Sequence, residues 1–232
     1  MFEYVFVLNV ASRREDDGKT VIDLGRHAAP PLPVLSAFET LLPTGIRRGS
    51  TISISGSISL LLALLGASSA SGAWCALVGL PMISAEAARE YGIDLTRLAV
   101  VSTTGSNWPT AVGALLDAVD VVVACPPARL IPGDVQRLAA RARTRDAVLM
   151  PYLTGQPTPS WPGADLRLMA RDIQWAGIGA GHGRLARRRI TVDVTGRGQA
   201  ARPRSATLWL PAAGGGAEVA TRPVVHLADR AG

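Results

Sequence analysis

Hydrophobic positions fall in short runs through the middle of the chain, and helical spacing fills the intervals between them. Thr51–Ser55 (TISIS) alternates β-branched with small polar residues and predicts a strand. After Gly56 the period changes. Ser59–Ala70 is apolar nearly all round, which suits a buried helix, and Gly72 ends it. Ala73–Val78 is a continuous apolar run, as expected of a strand covered on both faces. Ser84–Tyr91 reads as a helix with Gly92 at its C-terminal cap. Leu98–Val101 reads as a strand, and Asn107 and Pro109 open a helix that runs to Ala118. Val119–Ala124 (VDVVVA) predicts a further strand. Asp134–Arg145 predicts a helix with Leu138, Ala139 and Ala140 inward, and Ala147–Tyr152 a strand after it.

Strands and helices thus alternate about every 20 to 25 residues, which predicts an α/β fold: a mostly parallel sheet flanked by crossover helices. The pattern then changes. Ala164–Ala176, Arg188–Thr195 and Ser205–Leu210 are strand-like with no helix between them, so an antiparallel C-terminal extension is expected on one sheet edge. At the other end, residues 1–10 read as a strand and 11–33 as a flexible linker stopped by Pro30, Pro31 and Pro33. A short helix is expected over Leu35–Leu41, followed by the turn cluster Pro43–Gly49. The resulting division is an N-terminal strand and linker (1–33), one core domain (34–211) and a Gly/Ala/Pro tail (212–232) expected to be disordered.

Composition sharpens this. The chain has 232 residues, enough for one well-buried domain and too few for two. Its net charge of +6 is uneven: residues 1–128 carry −3 and residues 129–232 carry +9, so a polyanion-facing C-terminal half is one reading. Of 24 basic residues only Lys19 is a lysine, so chemistry that needs a core lysine has nowhere else to find it. Two cysteines, Cys75 and Cys125, exclude a cysteine-based zinc cluster and a disulfide scaffold, and three scattered histidines show no ligand spacing. The longest apolar stretch, Ile58–Ala67, is about half a membrane span. MFEYVFVLNV at the start has neither a basic leader region nor a cleavage site before Arg13. The expectation is a soluble protein of a reducing cytoplasm, without a membrane segment.

A strand, a glycine and a helix form the setting of a phosphate loop, in which backbone N–H groups and a lysine hold phosphates and a Ser or Thr holds Mg²⁺. From Gly56 the chain reads Gly56-Ser57-Ile58-Ser59 and continues LLLA, so the second glycine falls on Leu61, the lysine on Leu62 and the Ser/Thr on Ala63. Burying phosphate charge among such side chains costs several kcal/mol. Nor does the central strand end in a metal-binding Asp. It ends in Cys125-Pro126-Pro127, with Asp120 at the opposite end. Where a general base would follow the second strand stands Gly79-Leu80-Pro81. No cofactor is expected at this degenerate loop.

The order of segments resembles a RecA-family core over about three-quarters of the chain, from Leu35 to Leu210. SAFETLLPTGIRRGSTISISG is similar to the entry into that family's phosphate loop. GAWCALVGLP followed by AAREYGIDLTRLAVVSTTG is similar to its second strand, helix and third strand, with a distinctive Gly92-Ile-Asp94-Leu turn. ALLDAVDVVVA resembles the central strand with its lead-in, and RRITVDVTGRGQAARPRSATLWLP the terminal hairpin. CPPARLIPG and LTGQPTPSWPG stand where recombinases carry longer mobile DNA-binding loops, which argues against strand exchange. Within the superfamily, an Arg-rich, Lys-poor chain without ATP residues looks most like the actinobacterial ImuA-like proteins. That resemblance implies a non-enzymatic adaptor in damage-induced mutagenic translesion synthesis, beside a Y-family polymerase-like partner and an error-prone replicative-type polymerase. The cell-division inhibitor SulA shares the degenerate fold and is the rival resemblance. A cryptic ATPase or recombinase is the enzyme alternative. Its arginine substitutes, Arg47 and Arg48, lie at the wrong end of the first strand.

Two basic groups are candidate nucleic-acid or partner surfaces. Arg137 and Arg141, with Arg143 and Arg145 behind, either meet phosphates or form a solvated helix face favoured at a helix C-terminus. Arg184, Arg187, Arg188 and Arg189 enter a strand, so alternation puts Arg187 and Arg189 on one face and Arg188 on the other. Phosphate, an acidic protein and plain solubilisation remain open for this hairpin. If both groups share one face, weak sequence-independent DNA binding follows, with a log K against log salt slope of about −3 to −4. Among the five tryptophans, Trp74 reads as core. Trp161 and Trp175 either anchor a partner or cover the sheet edge.

Overall fold

A computed structural model describes residues 29–80, 82–102, 105–155, 160–179, 182–197 and 201–220. The expected strand over 1–10, most of the linker and residues 221–232 lie outside the described residues. Nine strands and four α-helices alternate as β1 (Ile52–Ser55), α1 (Ile58–Ala70), β2 (Cys75–Val78), α2 (Ala85–Glu90), β3 (Leu98–Val101), α3 (Trp108–Ala118), β4 (Val121–Ala124), α4 (Pro132–Thr144) and β5 (Val148–Leu153). The strands β6 (Leu166–Gly179), β7 (His182–Gly196), β8 (Arg204–Trp209) and β9 (Glu218–Val219) follow.

They form one sheet in the order β3-β2-β4-β5-β1-β6-β7-β8-β9. From β3 to β6 every pairing is parallel, and from β6 to β9 every pairing is antiparallel. The expected mixed α/β sheet with an antiparallel extension is thus the observed one. It arises because β2, β4 and β5 are apolar at every position and buried at every position, which only a sheet covered on both faces permits. Alternation sorts their side chains. Val121, Val123, Val148 and Met150 pack with α1 and the residues around α2, whereas Val122, Ala124 and Leu149 pack with α3 and α4. Two helical layers therefore sandwich the parallel strands.

Helix α1 is the central helix, with buried residues on every side. Its outer face is covered by Leu32, Phe38, Leu41, Leu42 and Ile46. Ser68 Oγ donates to the Pro33 carbonyl at 2.9 Å and holds that segment down. The end of the expected linker is therefore core: Leu32 bridges Ile46 in both directions. Only one 3-10 turn, Ser36–Phe38, forms where a short helix was expected. On α4 the inward residues are Val135, Leu138 and Ala142; Ala140 faces outward, because the buried stripe runs at i, i+3 and i+7. Residues 212–220, assigned by composition to the tail, form a turn and β9. Ala212 is buried, and the Gly216 N–H donates to the Glu90 carbonyl at 2.7 Å.

Strand β6 outruns its neighbour. It pairs with β1 only from Leu166 to Met169, then continues with β7 alone as a two-stranded arm. The ladder shifts register between Arg171 and Gln174, where Asp172 takes φ +50°, and again between Ala176 and Ile178. No helix among the described residues is long and apolar enough to cross a membrane.

Candidate functional site

In parallel sheets, ligands meet the protein outside the carboxyl ends of the strands. Here that edge gathers Gly56 and Ser57 after β1, Cys125 after β4 and Tyr152 near the end of β5. Gly56 is required by its φ of +87° and by the Ala170 carbonyl of β6, which leaves no room for a Cβ. Ser57 then caps α1, its Oγ accepting from the Leu60 N–H at 3.4 Å. Leu61, Leu62 and Ala63 are fully buried in the core rather than turned to a ligand. The degenerate loop is therefore a helix cap packed on β6.

Arg188 reaches this cap from β7. Its Nη2 donates to Ser57 Oγ at 2.7 Å, across 131 residues of sequence. Its guanidinium lies 5.2 Å from the centre of the Trp175 ring, and its Nε is buried with no hydrogen-bond partner among the described residues. Burial lowers the Arg188 pKa, and Tyr91 and Tyr152 nearby offset part of that. Tyr91 is itself buried, and its hydroxyl meets no described residue in hydrogen-bond geometry. Burial raises it, while Ser59 and then Arg188 lie near enough to pull it partly back. A cation, two phenols and a capped helix start thus converge at the carboxyl edge after β1. Cys125 is half-buried and raised, chiefly by burial. Cys75 lies inside the sheet and is pushed up to about 12, by burial first and Asp120 second.

The opposite edge of the sheet holds Arg47 and Arg48. Arg48 pairs with Asp120 at 2.7 Å and Arg47 with Asp165 at 3.5 Å. Asp120 also accepts from the Trp74 N–H at 2.9 Å, so it ties β4 to the start of β2. Of the candidate basic residues, Arg137 pairs with Asp134 at 3.2 Å on an exposed turn of α4. Arg141 and Arg145 both hold Asp117 of α3, with Nε contacts of 2.9 and 3.0 Å. On β7, Arg187 and Arg189 share a face and Arg188 takes the other, as alternation requires. Arg187 lies 4.4 Å over Trp209 and Arg189 donates to Gln174 at 2.5 Å. Arg184 is on β7, with its side chain outside the described residues.

The helix and hairpin arginines do not form one cluster. Strands β1 and β6 stand between β5, beside α4, and β7, three spacings or roughly 14 Å at about 4.8 Å each, and Arg187–Arg189 lie on the arm beyond. Trp161 is not a surface anchor. It is 2% exposed and packs at 6.4 Å on Trp108. Trp175 is 52% exposed under Arg188, and Trp74 is half-buried beside Arg97 at 6.0 Å. Pro81, which stands at the general-base position, lies outside the described residues. The Arg188–Ser57 contact escaped sequence reasoning. Its only signal was a face of β7 otherwise filled by Ile190, Val192 and Val194.

Comparison with known proteins adds a family. Over 130 residues, 56% of the chain, the sequence is 33% identical to the uncharacterized protein Rv3395c of Mycobacterium tuberculosis. The chain spans 61% of that relative's length. The model of the MT3502 N-terminal domain matches residues 40–163, from the turn before β1 to the loop before β6. Because this match takes in over half of the chain, the protein belongs to the MT3502 N-terminal domain family.

Proposed function

We propose that this chain is a non-catalytic adaptor on a RecA-like core, of the ImuA-like kind, acting in damage-induced mutagenic translesion synthesis in the cytoplasm. Its partners are a Y-family polymerase-like protein and an error-prone replicative-type polymerase, with weak DNA contact as an accessory. The observation that carries the reading is the β1–α1 turn, where Arg188 is bonded to the helix cap and Leu61 and Leu62 are in the core. A nucleotide-hydrolysing relative needs a lysine and a metal-binding hydroxyl there. The order of parallel strands followed by an antiparallel terminal hairpin also supports the RecA-like reading.

Two measurements test it. The purified chain should retain a purified Y-family polymerase-like protein encoded beside it, and titration with ATP and Mg²⁺ should release no heat of binding. Reproducible failure to retain that protein sinks the adaptor. Micromolar nucleotide binding restores the ATPase.

A further inference from the structure

We propose that the groove along α4 takes an extended peptide, apolar along its length and acidic at one end, from a protein partner. The groove encloses about 790 Å³ between α4, the β4–α4 turn and the described residues 160–163 ahead of β6. Its wall near the carboxyl edge is apolar: Pro126, Pro127, Leu130 and Val135. At the other end stand Arg143 and Arg197, and no Asp or Glu lines the groove among the described residues.

Those two arginines carry the argument. Arg143 comes from the last turn of α4 and Arg197 from the end of β7. Both are exposed, and neither makes an ion pair with a described residue. Their neighbours behave otherwise: Arg141 and Arg145, on either side of Arg143, share Asp117. Two like charges from different elements lining one cavity repel, and an anion between them removes that cost. The same pair also lines a second hollow of about 710 Å³, where Arg47 and Arg48 are already paired with Asp165 and Asp120.

The apolar stem favours a peptide over a nucleic acid. A phosphate backbone would bring charge and solvated sugar against Pro126, Leu130 and Val135, and it would gain only the two cations. From Val135 to Arg143 the helix rises about 12 Å, room for roughly four extended residues. An extended peptide that itself carries prolines is already confined near the polyproline conformation, so it loses less entropy on docking than a flexible chain. The inference rests on this surface alone and does not require the adaptor reading.

The test uses the full chain and fluorescein-labelled eight-residue probes, capped at both termini. One alternates leucine and proline over five positions and ends in three glutamates. Its control ends in three glutamines. Fluorescence anisotropy should show the glutamate probe binding about tenfold more tightly, the scale of two ion pairs at a groove end. Arg143→Glu with Arg197→Glu should reverse that preference, because two carboxylates then face the glutamate probe. The Arg143→Gln, Arg197→Gln pair, which makes neither ion pair, should abolish it. If the reversed pair fails to fold, the glutamine pair and the loss of preference at 0.5 M salt on the unaltered chain decide the matter. Equal binding of both probes, no binding at 1 mM, or Arg143- and Arg197-dependent binding of a 20-mer oligothymidine in place of the peptide overturns the proposal. Probe binding by a chain that captures no polymerase would leave this inference standing and remove the adaptor.

Discussion

Replacing Gly66 by alanine should destabilise the protein, against the usual sign for a helical glycine. Gly66 lies inside α1, where alanine is ordinarily worth about 1 kcal/mol more than glycine. Here the added Cβ would fall well under 3.0 Å from the Tyr91 carbonyl oxygen and 3.2 Å from its carbon. Both are backbone atoms, and that backbone is pinned. The Tyr91 and Ile93 N–H groups each donate to the Ala88 carbonyl at 3.2 Å. Neither helix can give way cheaply, so overpacking of about 1–3 kcal/mol applies at its upper end and outweighs the propensity gain. The net cost is about 1–2 kcal/mol, or a fall of roughly 2–8 °C in Tm for a chain of this size. Gly113→Ala on α3 is the control. Its Cβ would meet only the Arg141 side chain, nearest at Nη1 at 3.2 Å, and no backbone atom. That variant should be neutral or gain up to about 1 kcal/mol. Urea denaturation followed by far-ultraviolet circular dichroism reads both. A midpoint for Gly66→Ala at or above that of the parent would refute the close approach of α1 to Tyr91, and with it the placement of the Tyr91 hydroxyl beside Ser59 and Arg188.

Asp117 is held down at about 2 by Arg141 first, and its ordinary value is 3.8. A carboxylate depressed on folding contributes stability above its unfolded pKa and loses it as pH falls through the folded one. Acid unfolding of the parent should therefore steepen between about pH 4 and pH 2, and Asp117→Asn should flatten that interval; identical profiles would detach Asp117 from α4. With both thiols raised and Cys75 within the sheet, an aromatic disulfide reagent near pH 8 should label Cys125 slowly and leave Cys75 silent until denaturant is added. Cys125→Ser should then show no native labelling, and prompt labelling of that variant would contradict the burial of Cys75.

The parallel half of the fold was legible because its signals are local. Apolar runs such as VVVA and an all-apolar helix admit few placements once strands and helices alternate. The start of α2 was legible to within one residue: Ser84, read as the first helical position, is its cap, with Oγ accepting from the Ala87 N–H at 3.1 Å. The site was less so, because its contacts join residues far apart in sequence. Asp117 collects Arg141 and Arg145 from 24 and 28 residues away, which turns two candidate phosphate ligands into a brace between α3 and α4. On β6 the register shift at Asp172 flips the faces of Gln174, Trp175 and Ala176, so Trp175 stands with Arg188 on the α1 side. No alternation count carried through that bulge could have placed it. Composition likewise misjudged residues 212–220. Glycine and alanine there are what let the chain turn closely against Glu90, where Gly215 at φ +85° has no space for a side chain.

The same bulged arm bears on how copies of this chain behave toward one another. Beyond Met169, β6 pairs with no described residue on its outer side, which leaves about ten residues of its backbone as an edge for a third strand. A flat edge of that length is a template for aggregation. Two register shifts within eight residues, at Arg171/Gln174 and Ala176/Ile178, break its spacing of donors and acceptors before any incoming strand could zip along it. The sheet's two terminal strands are blunt as well: β3 has four residues and β9 only two. Irregularity at its margins, rather than a disulfide between its two free cysteines, thus sets this sheet against pairing edge to edge with a second copy.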